Sequence, residues 1–120
     1  MTTSSTSTES AVVVGDVNAV ELEDWGPLPE ATGEPMATAG KKLWTGDGIR
    51  EFGIWKCAPG PSRWVFETHE SITVLSGRMT VTEDGGEPYE VKAGDSAVFP
   101  KGWTGNWDIH DTILKVYTVF

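Results

Sequence analysis

The chain has 120 residues, enough for one domain with a modest core, and it carries 18 Asp and Glu against 9 Lys and Arg, a formal net charge of −9. That acidity repels phosphate backbones and anionic lipid, which argues against nucleic acid and membrane surfaces as partners. A single cysteine, Cys57, excludes an internal disulfide and suits a reducing compartment. Six Trp are many for this length and point to aromatic walls around a core or pocket. No apolar run approaches the roughly 20 residues that span a bilayer, and the N-terminus lacks the basic and apolar regions of a secretory signal. The expectation is a soluble cytoplasmic protein.

Residues 1–10 are rich in Ser and Thr and read as a flexible tail. Residues 11–40 read as an N-terminal arm with strands, and residues 41–120 as a barrel, all within one domain. Ala11-Val12-Val13-Val14 is a short β-prone run cut off by Gly15-Asp16. Residues 18–25 alternate apolar and charged positions, which suits an edge strand or an irregular arm. Pro27, Pro29, Gly33 and Pro35 leave no room for a long helix before residue 40.

From residue 41 the punctuation becomes regular. A strand over 41–44, the turn Thr45-Gly46-Asp47-Gly48 and a strand over 49–57 form a hairpin, which Pro59-Gly60-Pro61 ends. Strands follow over 63–68 and 71–75, with Ser76-Gly77 as a turn, then over 79–82, 89–91 and 96–99. Residues 103–109 and 112–120 complete the set, with His110 at the turn between them. About eight to ten short strands at intervals of roughly 8–12 residues indicate an all-β antiparallel sandwich or barrel with little or no helix.

Glu70 lies among aromatic and β-branched residues, on a segment that should face the interior. A carboxylate placed there needs a cation, a metal, a ligand or a proton. In Ile113-Leu114-Lys115-Val116-Tyr117, Lys115 and Tyr117 fall on one face of a strand. If that face is the interior, Lys115 can pair with Glu70, and Tyr117 can offer a hydroxyl to the same space. Carboxylate, ammonium and phenol together make a general acid–base set, or else a structural pair. Trp103 and Trp107 share parity with Gly105, so at least one should line a pocket, while Arg63 beside Trp64 should reach its mouth. Trp44 and Trp55 belong to the core or to a dimer contact. His69, next to Glu70, should point to the opposite face, and Cys57 reads as a buried inert thiol.

The second half resembles the cupin superfamily of small jelly-roll barrels. Gly94, Pro100 and Gly102 fall in register with its second motif, with Gly105 where that motif has histidine. Glu70 and Gly77 match the end of its first motif, whose His-x-His pair falls on Trp64 and Phe66. Over residues 33–120 the chain more closely resembles small single-domain cupins related to the ureidoglycine aminohydrolase cupin domain, a group largely of unknown function. Arg63-Trp64, Glu83-Asp84-Gly85, Gly94-Asp95, Phe99-Pro100-Lys101-Gly102, Trp107 and Lys115-x-Tyr117 carry that similarity.

The resemblance implies a metal held by three histidines and a glutamate, of which this chain keeps only Glu70. Indole, phenyl and glycine at the other three positions cannot ligate. The expectation is therefore no metal and no cofactor, with Glu70, Lys115 and Tyr117 as catalytic candidates. Arg63, Trp64, Phe66, Trp103 and Trp107 would form a substrate pocket for a small molecule. Three functions stay open: metal-independent acid–base catalysis on a small polar metabolite, a non-catalytic binding or scaffold module, and a metalloenzyme with atypical ligands. A homodimer formed through the Val12-Val13-Val14 run is also expected.

Overall fold

In a computed structural model, residues 10–120 are described. The Ser/Thr-rich tail, apart from Ser10, lies outside the described residues. The described residues form eight strands: β1 (Glu23–Pro27), β2 (Ala37–Thr45), β3 (Glu51–Cys57), β4 (Gly60–Val65), β5 (Glu70–Glu83), β6 (Tyr89–Lys92), β7 (Ser96–Phe99) and β8 (Thr104–Val119). One 3₁₀ turn, Val17–Ala19, is the only helical element among the described residues, and the Asp16 side chain caps it by accepting from Asn18 N. All pairings are antiparallel, in the order β1-β2-β3-β8-β5-β6, with β4 added to β8 and β7 added to β5. This is the antiparallel jelly roll of the cupins.

Two long strands organise the barrel. β8 pairs with β4 through its first half, with β3 through its second, and with β5 along nearly its whole length. Alternation then directs one set of side chains inward from every strand. Met79 and Val81 of β5, Trp107, Ile109 and Ile113 of β8, and Phe99 of β7 form a core in which each is at most 2% exposed. Leu28 and Met36, from the segment between β1 and β2, join the same cluster.

Several segments differ from the sequence reading. The run 11–14 is not a strand: it pairs with nothing, and Val13 is 86% exposed. The preceding strand ends at Cys57, before Pro59, but Gly60 and Pro61 already open β4, paired with Ile109 and Asp108, where the sequence placed its start at residue 63. Segments 71–75 and 79–82 are one strand, β5, and the last two segments are one strand, β8. Register shifts near Ser76 and Arg78 absorb the extra residues that resembled a turn, while the ladder to β8 continues. His110 therefore lies within β8, where Nε2 meets the Thr80 hydroxyl at 2.7 Å.

Candidate active site: an ion pair in an aromatic cavity

The site is set by three neighbouring strands. β8 runs between β3 and β5, so Val119 faces Glu51 on one side and Glu70 on the other. Residues at spacings of two share that face. Trp55 lies opposite Lys115, and Gly53 lies opposite Tyr117. A Cβ at Gly53 would stand 2.7 Å from the Tyr117 hydroxyl oxygen, so glycine there provides the room the phenol needs. The result is a cavity of about 210 Å³ whose polar wall is Glu51, Glu70, Lys115 and Tyr117. Trp25, Trp55 and Trp64 form its aromatic walls.

Lys115 is 3% exposed, and its Nζ lies 2.8 Å from Glu70 Oε2. The same Nζ sits 4.4 Å from the Trp55 ring centroid and 4.8 Å from that of Trp107. A carboxylate and two indole faces thus replace the water that the ammonium loses. Tyr117 does not reach Glu70. Its hydroxyl donates to Glu51 Oε2, and Lys42 Nζ approaches the other oxygen of that carboxylate at 3.8 Å. Burial, then the hydrogen bond and negative charge of Glu51, hold the Tyr117 phenol well above its ordinary value. Tyr117 is a neutral donor here and not a base.

The structure brings together Glu70, Lys115, Tyr117 and Trp64 from the sequence-based set. Phe66, Trp103 and Trp107 do not line the cavity. They stack beneath it in the core, with Phe66 on Phe99 at 5.3 Å and Trp64 against Trp107 at 4.7 Å between centroids. Arg63 is not at the mouth either. It points outward to grip both oxygens of Asp84, at 2.5 and 2.6 Å. That fork, with a bond from Thr104, holds the Asp84 carboxyl down at about 2. Three contributors were missed: Trp25 of the edge strand, Trp55, taken as a core or dimer residue, and Glu51. Counting back in twos from Trp55 would have placed Glu51 on the inner face.

The cupin metal does not fit these residues. Of the four ligand positions only Glu70 offers a donor atom. Trp64 lies opposite Gly105, and a Cβ at Gly105 would come within 2.5 Å of the Trp103 ring, so an indole fills the space where a histidine would stand. The one buried side-chain polar atom without a partner among the described residues is Trp107 Nε1, a donor that cannot ligate a cation. No group of three or more His, Cys, Asp or Glu converges among the described residues.

His69 stays outside the cavity. Its Nδ1 accepts from Lys101 N at 2.9 Å, and its exposed ring stacks on Phe120. Cys57 is fully buried, and burial first of all pushes its thiol up to about 11. We expect no reaction with a disulfide reagent at pH 8 in the native state and one thiol per chain in denaturant. Rapid native labelling would show that the β3 end opens readily.

A jelly roll with a side-chain cluster on its inner wall defines a small cupin domain. Residues 45–117 match the EutQ-like cupin domain family, and the chain belongs to it. Among solved structures, it is similar to a protein of unknown function from Pseudomonas syringae pv. tomato, with 18% identity, a TM-score of 0.78 and 86% of this chain covered. The match spans 46% of that longer protein. It is also similar to the Clostridium difficile EutQ protein, at 17% identity and a TM-score of 0.69, covering 84% of this chain and 80% of that one. A Thermotoga maritima protein from a family of unknown function is 31% identical over 56% of this chain and 76% of its own, with a TM-score of 0.54. No curated protein matches the chain.

Proposed function

We propose that this small cupin binds a small polar metabolite in the cavity and acts on it by acid–base chemistry that uses no metal. The observation that carries the reading is the 2.8 Å contact between Lys115 and Glu70 at the wall of an aromatic cavity. Glu70 would take a proton from bound substrate. The Lys115 ammonium would stabilise the negative charge that develops and return a proton to it. Tyr117, held neutral, would orient the ligand through Glu51. Ureidoglycine is not assigned as substrate, because the resemblance to that group implies a metal set whose donors are missing here.

The test is turnover of ureido, amino-acid and sugar compounds by wild type and by Glu70→Gln. Loss of product formation in the variant is expected, and unchanged turnover ends the proposal. One observation favours a second reading, a binding module without turnover: the two charges already satisfy each other. Ligand-dependent thermal stabilisation with no product from any compound supports that reading.

We infer a cytoplasmic homodimer formed by strand addition; the exposed Val12 and Val13, at 45% and 86%, support the strand pairing. A monomeric mass by light scattering at micromolar concentration refutes it. Among the described residues no helix is long and apolar enough to cross a membrane.

A further inference from the structure

Charge inside the cavity does not balance. Glu51 and Glu70 bring two carboxylates, and Lys115 brings one ammonium. That ammonium is committed to Glu70 at 2.8 Å. Glu51 accepts from a neutral phenol, and Lys42, which approaches it only to 3.8 Å, is 61% exposed. The Glu51 side chain is itself only 24% exposed, so its charge has lost much of its water without gaining a close cation.

The walls complement a positive charge. Trp55 and Trp64 meet edge to face at 79°, with centroids 6.2 Å apart, and so form two sides of a corner that Trp25 helps to enclose. Indole faces attract cations more strongly than other side-chain rings do. Trp55 already holds the chain's own ammonium at 4.4 Å. A volume of about 210 Å³ suits a small ligand.

The geometry points to a small organic cation of the alkylammonium class as the ligand, its charged end held between Glu51 and the indole walls. This rests on reading the cavity as a small-molecule site. An anion would face two carboxylates with the cavity's ammonium already paired, and a neutral ligand would leave Glu51 with only the Tyr117 hydroxyl and the more distant Lys42. The overall charge of −9 draws cations toward the protein from a distance.

Three probes separate the classes by calorimetry or tryptophan fluorescence on the full chain: choline, its neutral isostere 3,3-dimethyl-1-butanol, and propionate. Choline should bind at least about tenfold more tightly than the isostere, since the two differ in charge and hardly in shape. Glu51→Gln keeps an acceptor for Tyr117 and should remove most of that advantage while leaving the isostere unaffected. Equal binding of choline and the isostere, or preference for propionate or any neutral compound, overturns the cation class while the cavity remains a ligand site. Failure of every compound, the metabolite panel included, overturns both. If Glu51→Gln does not fold, the comparison of choline with its isostere on the wild type decides alone.

Discussion

Replacing Lys115 with methionine is expected to lower the stability of the fold by about 3–5 kcal/mol, read from the urea midpoint. Methionine fills similar volume and can lie against the Trp55 and Trp107 rings, so little packing is lost. What is lost is the counter-charge of Glu70, whose side chain is only 15% exposed. A carboxylate left there keeps its desolvation cost and loses the attraction that offset it. At a typical domain stability of about 5–15 kcal/mol, this loss is a large fraction of the whole. The double variant Glu70→Gln with Lys115→Met removes both charges, and it should lie within about 1 kcal/mol of wild type or above it. Recovery in the double variant would show that the single loss reflects an orphaned charge. If the double variant is as unstable as the single one, Lys115 matters for shape, and the ion pair is not what holds this wall together.

That pair was legible in the sequence because it depends only on parity. Lys115 and Tyr117 alternate with Leu114 and Val116 on a strand of evident β character, and Glu70 stands next to a histidine that faces the other way. The partner of Tyr117 was less visible, since Glu51 is its diagonal neighbour across β3 and β8 and register cannot be read without the pairing. Trp25 was hidden for a related reason: its ring enters the cavity wall from an edge strand whose inward face depends on a register shift between Asp24 and Gly26. The aromatic residues were assigned to the right interior but to the wrong depth. Phe66, Trp103 and Trp107 pack on Phe99, and only the three-dimensional packing separates that layer from the cavity above it. Arg63 followed its local neighbour Trp64 in the sequence reading, yet Asp84, 21 residues away, claims its guanidinium.

The strand boundaries show where local chemistry misleads, and Gly77 provides the test. Ser76-Gly77 has turn composition, but the chain stays within one strand, and the ladder to β8 absorbs the irregularity in register shifts between Val74 and Met79. Gly77 takes a φ of +88°, and a Cβ built there would come within 2.1 Å of the Thr112 carbonyl oxygen and 2.8 Å of that of Asp111. Neither oxygen is a flexible tip. Both belong to the backbone of β8, so relief requires the two longest strands to part. The Gly77 carbonyl also accepts from Ala93 N at 3.1 Å, which ties the turn before β7 to the same bulge. Gly77→Ala is therefore expected to cost about 3–5 kcal/mol, adding an unfavourable backbone conformation to an overpacked contact. Gly85 offers the matched control, because its φ is +81° and nothing lies within 4 Å of its added Cβ. Gly85→Ala should cost only the conformational part, about 1 kcal/mol. The difference between the two urea midpoints isolates the approach of β8 to the bulge. If the two alanines cost the same, β5 and β8 are not closely joined at Gly77, and the continuous strands that carry Glu70 to Lys115 lose their support.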